Sequence, residues 1–148
     1  MITTRVSSDM AAAMLLIASA GAATAQASDA AGVWTMKNGK VTVQVSDCGG
    51  GGICGTIVAL KEPISKIDGK PKVDRENPDP ALRQRPVIGL SILIGMKPAG
   101  DGEWQGAIYN PDDGNLYRGT VRQDGDVMKV QGCVLGLLCK TNTFLRVE

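Results

Sequence analysis

The stretch KVTVQVS, residues 40–46, decides the fold class. Val41, Val43 and Val45 fall on one side of an extended chain, and Thr42, Gln44 and Ser46 on the other. Successive side chains of a strand point to opposite faces, so this pattern gives one face to a core and the other to water. Valine's branched Cβ also suits a pleated surface better than a helix. The same alternation recurs in both directions along the chain, at 32–36, 56–60, 87–96, 104–109, 116–122, 127–132 and 141–147. The gaps hold turn-forming residues: Lys37-Asn38-Gly39, Pro111-Asp112-Asp113-Gly114-Asn115 and Asp124-Gly125-Asp126. About eight short strands joined this way predict an all-β domain, a small antiparallel barrel that is closed or nearly closed. Closure removes free strand edges, which otherwise pair with other chains.

The N-terminus follows a different logic. MAAAMLLIASAGAATAQA, Met10 to Ala27, is apolar and alanine-rich, with Arg5 upstream and small residues at its end. That is the pattern of a secretory leader, with Ala25-Gln26-Ala27 as the best cleavage site and Ala23-Thr24-Ala25 as the alternative. The reading is a signal peptide over 1–27, a single domain over 28–148, and a periplasmic or secreted product. The apolar run is too short for an ordinary membrane span, so no span is expected once the leader is removed. The formal net charge is +1, and losing Arg5 and Asp9 together leaves it unchanged. Such a balance gives no electrostatic case for nucleic acid.

An exported chain with four cysteines implies disulfides. Cys48 and Cys54 bracket GGGGI, and Cys133 and Cys139 bracket VLGLL. Three connectivities are possible, and the repeated C-x5-C spacing favours the two local pairs. A short loop between antiparallel strands brings facing residues within disulfide reach. Zinc ligation fits less well, because structural sites space their paired ligands more closely. The wider match C-x5-C-x-T-x3-L at both places fits a vestigial repeat, and fits equally two matched strands after two matched turns. Val134, Leu135, Leu137 and Leu138 would make an apolar tip; folding inward to plug the core is the expectation, and a sticky patch the alternative.

The one long connection, 61–86, contains NPDPALRQRP, Asn77 to Pro86. Asp79 before Pro80 is a helix-start signature, and Pro86 turns Arg85 away from helix. A rigid elbow follows, and long ordered loops usually cover or line something. The structural reading has Asp79 and Arg83 bracing the elbow while Arg85 meets a carboxylate or carbonyl. The functional reading makes Arg83 and Arg85 a fork for a carboxylate, phosphate or acidic sugar.

With no histidine, Ser-His-Asp and Cys-His catalysis are excluded, together with the commonest metal ligand. No catalytic residue, metal site or cofactor is expected. The candidate ligand-binding set is Arg83, Arg85, Trp104, Tyr109 and Tyr117, the aromatics lining a barrel mouth beneath the arginine elbow. The partner would be a small or anionic envelope ligand; the competing reading is an envelope interaction protein that binds another protein or cell-wall polymer.

Two resemblances extend this reading. Gly32-Val33-Trp34, with Arg146 in the last strand, resembles the G-x-W and late-arginine pairing of lipocalins and other calycins, which implies neighbouring terminal strands and a guanidinium stacked on the indole. CGGGGICGTIVAL, NPDPALRQRPVIGL, WQGAIYNPDDGNLY and VQGCVLGLLCKTNTFLRV, in that order, resemble domain-of-unknown-function family 2147 of small exported bacterial proteins. That resemblance implies a β-rich envelope domain and no particular chemistry. The chain departs from it in the bare glycine run 49–52 and in Phe144, where the family tends to have tryptophan.

Overall fold

The computed structural model describes residues 27–147, so the predicted leader lies outside the described residues except for Ala27. A single helical turn, α1 (Ala27–Ala30), leads into eight strands: β1 (Gly32–Met36), β2 (Val41–Gly49), β3 (Gly52–Leu60), β4 (Ser91–Gly100), β5 (Glu103–Asn110), β6 (Asn115–Asp124), β7 (Val127–Val134) and β8 (Leu138–Arg146). Each pairs antiparallel with its neighbour, and β8 returns to β1 to close the barrel. The alternation reads out directly: Val43 and Val45 are buried with Ile53, Leu93, Met96, Val121 and Met128 in one cluster.

The seam is held by a specific pair. Trp34 and Arg146 are register partners across β1 and β8, with the guanidinium 4.1 Å from the indole centre. Arg146 also donates to the Ala31 and Asp29 carbonyls at 2.8 and 2.6 Å, and the Trp34 indole N–H donates to Ala30 O at 2.9 Å. One cation thus joins the last strand to the first and ties down the turn before it. Arg146→Ala is expected to cost about 1–2 kcal/mol, read as a lower urea midpoint. Arg146→Lys should recover little, because lysine lacks the planar fork.

The barrel has no lumen to speak of. Trp34, Trp104 and Phe144 fill it, and the residual void, lined by Trp34, Val43, Leu93, Met128 and Phe144 among others, is ≈ 10 Å³. That is room for about one water and no ligand.

Both disulfides are the local ones, Cys48–Cys54 and Cys133–Cys139, and with no free cysteine among the described residues the zinc alternative falls. The strands run further towards the turns than alternation alone indicated. Gly49 pairs with Gly52, and Gly49, Gly50 and Gly51 all have positive φ, at 89°, 60° and 76°. A tight turn of that hand is the reason for a bare glycine run. The two hairpins differ in register. Cys133 faces Cys139 directly, whereas Cys54 faces Ser46, with a register shift between Asp47 and Gly49.

Two expectations need correcting. The apolar tip does not plug the core: Leu135, Leu137 and Leu138 are 91%, 84% and 76% exposed. The core is already filled by the two tryptophans, and β8 reaches back past the end of β1, whose last pair is Met36 with Phe144. The long connection also runs further, to Leu90. Val87 donates its N–H to Lys72 O within the loop instead of joining β4, and Gly89 turns the chain with φ 102°.

Candidate functional site

The elbow lies beside the outer wall of the barrel at β4 to β6. Trp104 and Ile108 point into the core, so Tyr109 falls on the outer face of β5, opposite Leu116 of β6. Beside the end of the barrel it joins a second buried cluster with Val87 and Leu90 of the loop and with Ile57, the register partner of core residue Val43.

A carboxylate clamps the loop to this wall. Asp74 is fully buried. Its Oδ1 accepts the Tyr109 hydroxyl at 2.6 Å, and its Oδ2 accepts Asn77 Nδ2 at 2.8 Å, Arg85 Nε at 2.8 Å and Arg85 Nη2 at 2.7 Å. Asn77 Nδ2 also donates to the Tyr109 oxygen at 2.9 Å. Both oxygens of the ionised carboxylate are therefore bonded, Oδ2 to three donors and Oδ1 to one. Burial alone would push the Asp74 carboxyl up, but the donors from Tyr109, Asn77 and Arg85 together hold it below the ordinary range. Burial and the bond to Asp74 push the Tyr109 phenol up.

The elbow is built on the same residues. Asp79 Oδ1 caps Ala81 N at 2.9 Å at the start of a 3₁₀ turn, Pro80–Leu82. Asn77 Oδ1 accepts Asp79 N at 2.9 Å, and Arg83 Nε donates to Asn77 O at 2.7 Å. Gly114, at φ 71°, lets the β5–β6 turn abut the Glu76 carbonyl, where any Cβ would collide.

Between elbow and wall runs a groove of ≈ 750 Å³. Leu82, Ile88, Ile94 and Leu116 give it apolar sides, and Arg85, Tyr109 and Asn77 form its polar end. Arg85 lies 5.6 Å from the Tyr109 ring centre and keeps 39% of its side chain exposed. With Nε and Nη2 on Asp74, its Nη1 has no acceptor among the described residues.

The sequence-derived candidates therefore divide. Arg85 and Tyr109 meet at the groove. Arg83 braces the elbow from an exposed position and does not line it. Trp104 is fully buried in the core, with its N–H on Gly51 O at 2.9 Å, and does not line the groove. Tyr117 pairs with Ile108 on the inner side and donates to Asp113 at the turn. The aromatics do not line one mouth, because alternation sends neighbouring residues of β5 to opposite faces. Asp74, Asn77, Ile94 and Leu116 were not singled out from the sequence; Asp74, flanked by Val73 and Arg75, has the look of a solvated loop acid.

No group of three or more potential metal ligands gathers among the described residues, and no described helix is long and apolar enough to cross a membrane. No curated protein matches the chain. Among solved structures it is similar to protein HP1028 of Helicobacter pylori, described as belonging to the lipocalin family. That likeness has a TM-score of 0.66 at 23% identity, over 80% of this chain and 82% of that one. It places the barrel among lipocalin-like folds. The family whose profile matches residues 32–146 is described as "Uncharacterized protein conserved in bacteria (DUF2147)", and the chain belongs to that family.

Proposed function

We propose that this is an exported binding protein whose ligand lies in the outer groove, between the elbow and the wall of β4 to β6, and not inside the barrel. One observation carries the reading. The void between Trp34, Val43 and Phe144 inside the barrel offers ≈ 10 Å³ and the groove ≈ 750 Å³, while small-molecule sites need about 300–1,000 Å³. Four apolar side chains along the groove and a guanidinium at one end suit an amphipathic molecule with a carboxylate or phosphate at its tip. Arg85 is already paired with Asp74, so it would recognise the acceptor by directed N–H donation more than by net charge. Export is supported by the leader pattern of residues 10–27 and by the two disulfides.

Anilinonaphthalene sulfonate, an aromatic amphiphile with one anionic group, is a suitable probe. Its fluorescence should rise on binding and saturate at one site. Leu116→Arg and Ile94→Arg place bulk and charge on exposed wall positions and should weaken binding roughly tenfold or more with unchanged melting. Val58→Ser, at an exposed position of β3 outside the groove lining, should leave it intact. Equal affinity in the two wall variants and wild type would overturn the proposal. Native mass spectrometry of protein from an exporting host should then show a ligand retained by wild type and missing from Leu116→Arg.

A further inference from the structure

We infer that the β7–β8 hairpin is a membrane-surface probe, which docks the barrel on a bilayer carrying anionic headgroups. The hairpin tip stands free of both neighbours: its pairing continues through Cys133–Cys139 to Val134–Leu138, while the β6–β7 ladder ends at Arg118–Cys133 and the β1–β8 ladder at Met36–Phe144. Its tip presents Leu135, Leu137 and Leu138 at 91%, 84% and 76% exposure, with no polar side chain from Val134 to Leu138. A convex cluster of this kind offers a protein partner no hydrogen-bond complement, whereas the headgroup–acyl boundary asks for none. The turn closes on itself through Leu137 N to Val134 O at 3.1 Å, and the disulfide below it fixes the shape.

The backbone supplies an independent observation. Leu135 is the only non-glycine with positive φ among the described residues, at 52°. Leucine is disfavoured there, and asparagine or glycine would serve the turn better. Its side chain packs against nothing that would compensate, so the fold gains little from a leucine at this point; an apolar surface is what the residue supplies.

Charge identifies the surface. Arg118 is the register partner of Cys133, one rung behind the tip pair, and Lys140 that of Gly132, two rungs behind, on opposite faces of the ribbon. Both are exposed and neither enters an ion pair among the described residues. Of the acids in the neighbouring β5–β6 turn, Asp112 is paired with Lys40, while Asp113 accepts the Tyr117 hydroxyl and keeps its charge. A cationic collar behind an apolar tip fits an anionic bilayer, the cations meeting phosphates as the leucines enter.

The test is flotation of the purified, oxidised protein with vesicles of phosphatidylethanolamine and phosphatidylglycerol, against phosphatidylcholine alone. Wild type should float with the anionic vesicles, less so at high salt. Leu135→Ser/Leu137→Ser should lose at least tenfold in partitioning, and Arg118→Gln/Lys140→Gln should lose the anionic preference. Leu135→Asn makes folding and binding separable: it should melt no lower than wild type yet bind vesicles less. Leu137→Trp should shift its emission to the blue on the anionic vesicles, against a background of two buried tryptophans. Failure of wild type to float, or flotation indifferent to the leucines, overturns the inference. A protein captured through the leucines without vesicle binding overturns it in favour of a protein partner.

Discussion

Asp74→Ala is expected to lower stability by about 3 kcal/mol, or roughly 10 °C in Tm for a domain of this size. The substitution takes an acceptor from three side chains. The Tyr109 hydroxyl and Asn77 Nδ2 are buried, and each loses the carboxylate oxygen it is bonded to. Arg85 can still reach water, since 39% of its side chain is exposed, so the loss stays near the low end of the range for broken buried pairs. Asp74→Asn should do no better: its amide keeps one acceptor for Tyr109 but turns an NH₂ towards the donors of Arg85 and Asn77. Arg85→Gln should cost less, because Asp74 keeps two neutral donors and can take up a proton. The loop would loosen first, so proteolytic cleavage within 61–90 should accelerate in step with the fall in the urea midpoint. Wild-type protection in Asp74→Ala would show that Val87 and Leu90 hold the loop alone.

The same carboxylate sets an acid limit. Its folded pKa lies below the ordinary 3.8, so the stability it contributes is present above that value and is lost as pH falls through the lowered one. Stability of wild type should therefore drop between about pH 5 and pH 2, with part of that slope absent from Asp74→Asn. Asp68, Glu103 and Asp113 are also held low by hydrogen bonds. They lie nearer solvent and contribute the shallower remainder.

Alternation made the barrel legible, since 41–45 and its counterparts carry their burial in their period. Cysteine spacing made the disulfides legible for a similar reason, because a hairpin joins residues close in sequence. The groove was not legible. Arg85 reaches Asp74 across eleven residues of loop and Tyr109 of β5 reaches it across 35, and no local pattern encodes such a meeting. One signal was present: Trp104, Ile108 and Tyr109 cannot share a face when side chains alternate. An aromatic on the water side of a strand needs a cover, and the only long connection was there to provide it. The apolar tip misled for a related reason. Val134, Leu135, Leu137 and Leu138 have the composition of a core plug, but whether a core has room depends on how far distant tryptophans already fill it.

Those tryptophans give the second large effect. Trp104→Ala is expected to cost about 3–5 kcal/mol, more than any wall substitution, because the indole is fully buried among the core residues of the closed barrel. Its register partners are Pro98 and Val121, which cannot collapse into the space without bending strands that are paired on both sides. The cost has a polar part as well. The indole N–H donates to Gly51 O at 2.9 Å, inside the positive-φ turn between β2 and β3, so the side chain anchors that hairpin to the core. Trp104→Phe keeps most of the volume and loses the bond, and should cost about 1–2 kcal/mol. The comparison distinguishes a core residue from a binding one. If Trp104 served a ligand, Trp104→Phe would weaken anilinonaphthalene sulfonate binding while the midpoint stayed put. If it fills the barrel, the midpoint falls and the folded fraction binds the probe with wild-type affinity. Deletion of the ring would also open a cavity inside a barrel that has none, so an added apolar solute such as benzene should recover part of the lost stability of Trp104→Ala and leave wild type unchanged.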